Sequence, residues 1–288
     1  MSLDTKKLGA ASLLLVGLAV VYWRVFQKLI YDWGHDDNYS HGFLIVPIAL
    51  YFVWERRERL FALDVKPSWF GLVVFAGGIF VLLAGLMGSE LFLSRISVIG
   101  VLAGIVIFMF GWAHLRALVF PLAFLLLMIP LPAIIFNQIA FPLQLLASRA
   151  GEFAISSADI PVLREGNVLV LANTTLEVAE ACSGIRSLIS LLALGIVFGY
   201  FADSRAWVRT LIALSTIPVA IISNAARVAG TGIAAHHYGP SVAEGFFHEF
   251  SGWVVFMVAF ALMLSLQQLI VRLVPATDSN STPSEVAA

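Results

Sequence analysis

The chain has 288 residues, of which 60% are hydrophobic and 12% charged, with a net charge of -1; its mean hydropathy of +0.94 lies outside the range of soluble globular domains. Near-neutral charge without a basic stripe of interleaved aromatics excludes nucleic acid as a partner, and a single cysteine, Cys182, excludes an internal disulfide. The composition is that of an all-α polytopic membrane protein.

A crossing helix needs ~20 mainly apolar residues, and the apolar runs predict about eight transmembrane helices, near 8–28, 42–55, 69–88, 96–112, 116–136, 184–202, 207–228 and 252–273. The first run follows Lys6 and Lys7 as a signal peptide would. It ends in the bulky Val20, Val21, Tyr22 and Trp23 with no small-x-small cleavage site, so it reads as a retained span. The second is short and contains Pro47. Between the fifth and sixth, residues 137–160 set Phe141, Leu143, Leu145 and Leu146 against Gln144, Arg149 and Glu152, an amphipathic pattern that predicts a segment lying on or re-entering the membrane.

The following stretch, "VLREGNVLVLANTTLEV" (162–178), alternates β-branched runs with turn signals at Glu165-Gly166 and Ala172-Asn173. It predicts a strand pair, a small extracytoplasmic β-hairpin-like insertion before the sixth span, because open sheet edges cannot face lipid. Residues 1–276 then form one integral membrane domain, and the Ser-rich polar tail 277–288 reads as disordered. With eight spans threaded, Lys6, Lys7, Arg56, Arg57, Arg59, Lys66, Arg116, Arg205, Arg209 and Arg272 share one side, against seven Lys and Arg on the other. The positive-inside rule makes the richer side cytoplasmic. The loop "YDWGHDDNYSHG" (31–42), the insertion and "AAHHYGPSVAEGFFHEF" (234–250) then all face outward.

Three chemically capable residues meet on that outer side. Cys182 precedes the sixth span, Arg227 ends the seventh, and His248 precedes the eighth. A thiolate is the nucleophilic form of cysteine and is favoured by a helix N-terminus and neighbouring cations. Arg186 stands four residues beyond Cys182, one turn along a helix. His248 suits a base that later protonates a leaving amine, and Arg227, always charged, suits a developing oxyanion. Glu180, Asn224, Glu244 and Arg186 are the expected supporting or substrate-binding neighbours. Each has a plainer alternative: a buried cysteine serves as a small hydrophobe, and an arginine at a span end snorkels to the headgroups. His35, Asp36 and Asp37 lack the ligand spacing of a zinc or calcium site, so no metal is expected. The absence of a glycine-rich phosphate loop likewise leaves no cofactor expected. The seven tryptophans fall near span ends as an aromatic belt.

On "EACSGIRSL" around Cys182, "SNAARV" reaching Arg227 and "FHEFSGW" containing His248, the chain resembles the exosortase/archaeosortase family of membrane sorting enzymes. A further patch, "DDNYSHGFLIVPIALYFVWERR" (36–57), looks like that family's amino-terminal region, so the resemblance runs from about residue 30 to 272. It implies a cysteine transpeptidase of the bacterial cytoplasmic membrane, with its active site facing outward. Its partners would be exported proteins ending in a Pro-containing motif such as PEP, a hydrophobic helix and a basic cluster. The acyl group would pass to a lipid or glycan acceptor, or to water. Carried over residue by residue, Cys182 is the nucleophile, Arg227 the transition-state stabiliser and His248 the general base or acid. His248 fits the bacterial exosortase form, whereas some archaeal members have arginine there. Some members also carry a soluble carboxy-terminal domain, for which this sequence offers no segment. The insertion at 162–178 is expected to border the peptide cleft and to pair with the extended motif by strand addition. The alternative reading is a non-catalytic or transport component of an exopolysaccharide export system, in which charges line a passage; a lipid-modifying acyltransferase would keep the same thiol.

Overall fold

The structure, a computed structural model, describes residues 13–14, 16–178, 185–239 and 245–274, with the backbone alone at 185 and 245–249. The chain packs as two compact units, residues 1–138 and 139–288. Helices dominate both.

In the first unit, helices α1 (Trp23–His35), α2 (Gly42–Glu55) and α3 (Arg57–Ala62) precede the antiparallel pair α4 (Phe70–Met87) and α5 (Leu91–Phe110). Gly71, Gly78 and Gly85 recur every seven residues along α4. A Cβ at Gly71 would fall 2.2 Å from the Phe108 nitrogen, and one at Gly85 would fall 2.6 Å from that of Ser94. Only glycine allows this backbone approach, which is how helices associate where lipid removes the hydrophobic drive between them. Helix α1 packs on the pair through Tyr22, Val25, Leu82, Val98 and Val101, and the buried Tyr22 hydroxyl bonds Ser97 Oγ at 2.9 Å. The run expected to form the first span lies partly outside the described residues.

The expected fifth span, 116–136, is broken. Helix α6 (Trp112–Phe124) tightens into a 3-10 turn at Leu125–Met128, and α7 (Ala133–Ser156) starts anew. The cause is "Ile129-Pro130-Leu131-Pro132": each proline lacks an N–H and drives the residue before it out of helical geometry. The amphipathic stretch expected from 137 is thus the body of α7. Helix α2, with 14 residues, is shorter than a crossing helix. Among the described residues four helices are long and apolar enough to span: Phe70–Met87, Leu91–Phe110, Ala206–Tyr238 and Phe250–Leu273. The broken pair α6–α7, counted as one, makes a fifth. The chain is therefore a multi-pass α-helical protein.

In the second unit the insertion is a three-stranded antiparallel meander rather than a strand pair: β1 (Val162–Glu165), β2 (Val168–Leu171) and β3 (Thr175–Glu177), in the order β1-β2-β3. Both expected turns are present, and Gly166 at φ +66 makes the first. Alternate residues Leu169, Leu171, Leu176 and Val178 pack one sheet face on Ala147, Ile155 and Val228. Polar contacts tie the sheet to α7: Arg164 Nε donates to Glu152 at 2.8 Å, and Ser148 Oγ donates to the Gly166 carbonyl at 3.0 Å. Helices α8 (Ile185–Ala202), α9 (Ala206–Tyr238) and α10 (Gly245–Leu273) complete the unit. Their core is Leu191, Val219, Ala220, Ala259 and Met263.

Candidate active site

Helices α8 and α9 are joined by three residues and must run antiparallel. Their register is set by small residues: a Cβ at Gly199 would meet the Arg209 carbonyl at 3.1 Å, and one at Gly195 would meet Thr216 at 2.4 Å. Carried back to the start of α8, that register sets Ile185 and Arg186 level with Asn224 and Ala225. Helix α10 returns along α9, and the Arg227 guanidinium lies against it at Gly252, where a Cβ would stand 3.4 Å from Nη1 and 4.0 Å from Cζ. Position 252 is one helical turn beyond His248.

Arg227, the start of α8 and the first turns of α10 therefore gather at one end of a three-helix bundle. Asn224, one turn before Arg227, is buried, Arg227 is half-buried, and Arg186 is exposed on the first turn of α8. Of His248 the backbone position is described, within α10. Cys182, Glu180 and Glu244 lie outside the described residues; Cys182 is three residues before Ile185 and four after Val178.

One sequence expectation about this end needs correction. Arg227 does not end its helix, because α9 runs on to Tyr238, 33 residues in all. At ~1.5 Å per residue this helix is about 50 Å long, well beyond the ~30 Å hydrocarbon. Its last turn is held by the sheet instead of by lipid: Asn173 Nδ2, in the β2–β3 turn, donates to the carbonyls of Ala235 and His236 at 3.3 and 3.2 Å. Such side chains satisfy carbonyls that a helix end leaves open. Gly239, at φ +94, caps the helix and donates its N–H to the Ala235 carbonyl. His248 stands in the first turn of α10, which begins at Gly245, and precedes the apolar span Phe250–Leu273 as expected.

At the opposite end, Asp203 binds Arg205 through its carboxylate. Arg205 Nη2 donates to Asp203 Oδ2 at 2.6 Å and to the Val274 carbonyl at 2.6 Å, and Arg209 Nε donates to the Asp203 carbonyl at 2.6 Å. The Arg205 side chain and its backbone N–H hold the Asp203 carboxyl down at about 2. This clamp joins the α8–α9 turn to the end of α10 and fixes the bundle's register from its far end.

Sequence reasoning missed a buried polar cluster in the first unit. The span predicted at 96–112 leaves Arg95 outside it, whereas α5 starts at Leu91 and buries Arg95 to 3% exposure. Its guanidinium pairs with Asp32, which Lys28 also contacts at 2.7 Å. Beside it, Trp33 Nε1 donates to the Met128 carbonyl at 2.9 Å and His41 Nε2 bonds that of Leu127 at 3.0 Å, so both hold the 3-10 turn at the break. An arginine four residues inside an apolar run and an aspartate near the end of α1 were the available signal. A charge at such a place requires a partner.

The family model described as transmembrane exosortase (Exosortase_EpsH) matches residues 33–265. No curated protein and no solved structure matches the chain. The match takes in all three motif-bearing segments and most of the helices described above, and on it the chain belongs to the transmembrane exosortase family.

Proposed function

We propose that this protein is a membrane-embedded cysteine transpeptidase that cleaves the carboxy-terminal tripartite sorting signal of exported proteins and passes them to a cell-surface acceptor. The observation that carries this reading is the Arg227 guanidinium laid on α10 one turn from His248, in a bundle whose first helix, α8, starts three residues after Cys182. Family membership supports the same reading.

The Cys182 thiolate attacks the scissile carbonyl, and charge moves onto the carbonyl oxygen, where Arg227 offers a fixed cation. His248, protonated, gives its proton to the leaving amine as the C–N bond breaks, so the hydrophobic tail departs and a thioester remains. An amine or hydroxyl of a lipid or glycan then attacks the thioester, His248 takes its proton, and the thiolate is expelled. Asn224, Arg186, Glu180 and Glu244 support the site. The substrate's own apolar helix, lying in the bilayer beside the spans, holds its motif near the thiol and replaces a bimolecular search with positioning. With its basic loops inward, the chain sits in the bacterial inner membrane and works on the outer face.

The test is processing of a tagged tripartite-signal protein coexpressed with the native chain or with Cys182→Ala, read by gel shift and by the mass of the new carboxy terminus. Cleavage by the native chain and none by an inserted alanine form supports the enzyme, and the product mass names the acceptor. Equal cleavage by both refutes it.

A further inference from the structure

The sheet of the second unit ends in a strand with one side open. Leu171 N–H donates to the Thr174 carbonyl at 2.8 Å, and Val178 N–H donates to the Asn167 carbonyl at 2.8 Å. With the register Leu169↔Leu176, these bonds turn residues 174, 176 and 178 toward β2. In an antiparallel ladder the residues between them turn their backbone groups the other way. Thr175 and Glu177 therefore direct N–H and C=O to the outer edge of β3, the last strand of the sheet. Both are exposed, and among the described residues nothing bonds to that edge. Leu176 faces inward and packs over Gly232 of α9, which holds the strand in place.

We infer that the outer edge of β3 receives the extended peptide of the substrate by strand addition, with Thr175 and Glu177 supplying the backbone bonds. This rests on the transpeptidase reading and names the subsite for the residues beside the scissile bond. Two features commit the edge to that occupant. β3 runs directly into the nucleophile's segment: four residues lie between Glu177 and Cys182, five steps of chain with a reach of at most about 18 Å. The edge is also only three residues long, enough for a short motif and too short to hold a second copy of this chain by sheet pairing.

The geometry further selects what can bind. In an added strand, alternate residues turn their N–H toward β3 and those between turn it away. Proline, lacking the N–H, is accepted only at the outward-turned positions. A motif with prolines two residues apart presents one edge with every N–H and one edge short of donors, so it pairs with β3 through the first edge alone and terminates the sheet.

Proline at 175 or 177 tests this on the enzyme's side, because it deletes an outward N–H and leaves the β2–β3 bonds intact. In membranes coexpressing the tagged substrate, Thr175→Pro and Glu177→Pro should process at least tenfold less than Thr175→Val and Glu177→Gln. A photo-reactive residue at 175 or 177 should capture the substrate, with Cys182 present or replaced by alanine, and one at the exposed Leu163 of the far strand should not. Proline forms that process as well as their counterparts, or equal capture from 163, overturn the inference. Should the proline forms not accumulate, capture alone decides. Cys182-dependent processing without capture from 175 or 177 removes the edge subsite and leaves the transpeptidase standing. Capture without Cys182-dependent processing keeps the subsite and removes the transpeptidase.

Discussion

Position 252 offers a graded test of whether Arg227 works where it lies. A Cβ there would stand 3.4 Å from Arg227 Nη1, an ordinary van der Waals contact, so Gly252→Ala should leave the guanidinium in place. Valine reaches one carbon bond further, about 1.5 Å. Its methyls would come within about 2 Å of the guanidinium nitrogen, so Arg227 must retreat by more than 1 Å. A misplacement of ~1 Å can reduce the rate ~10²-fold. We expect Gly252→Ala to process the tagged substrate within about threefold of the native rate and Gly252→Val to fall about 10²-fold, as does Arg227→Ala. Unfolding in mixed micelles, run in parallel, separates misplacement from collapse of the bundle. Native processing by a folded valine form would refute the placement of Arg227 in the chemistry. Equal loss in alanine and valine forms would show that glycine is needed at 252 for some reason other than room for Arg227.

Removing one partner of the Arg95–Asp32 pair strands a charge that is 3% exposed. Asp32→Leu should therefore destabilise by about 3 kcal/mol, the low end of the ~3–5 range for buried pairs because Asp32 keeps some solvent contact. Adding Arg95→Met should restore most of that, and a double variant no more stable than Asp32→Leu would count against the pair as the cause. Asp203 is held at about 2 in the folded chain, below its ordinary 3.8. A carboxyl so lowered contributes stability that is complete above its unfolded value and lost as pH falls toward its folded one. The melting difference between native and Asp203→Asn chains should stay constant from pH 8 to 5 and shrink below pH 4; shrinkage already between pH 7 and 5 lies outside this carboxyl's window and would refute the assignment. For His41, burial lowers the pKa below 6.5 against the pull of the Leu127 and Asn38 carbonyls. Its contribution is complete above pH 6.5 and declines on acidification, so His41→Gln should flatten the melting curve between pH 7 and 5. Asn173→Ala removes two bonds to the end of α9, at ~0.5–1.5 kcal/mol each, and should raise hydrogen exchange at residues 235–239 first.

The membrane class, the last two spans, both turns of the insertion and the ordered motifs around Cys182, Arg227 and His248 were legible because each is a local property: hydropathy over a window, turn chemistry at a dipeptide, residue identity along the chain. Helix ends were not. The sequence alone placed Arg227 at the end of a span and Arg95 outside one, since a charge counts against burial in any apolar window. The fold reverses both, because Asp32 comes from a separate helix to partner Arg95, and Asn173 comes from the sheet to hold an α9 end that lipid could not. The break at Pro130 and Pro132 was written in the sequence, yet a window average hid it behind the surrounding leucines. Only the tertiary structure decided which strand edge stays open and which residue faces Arg227. A two-residue alternation tells the two faces of a sheet apart but not its two edges, and the absence of a side chain at Gly252 acquires meaning only when another helix lies against it.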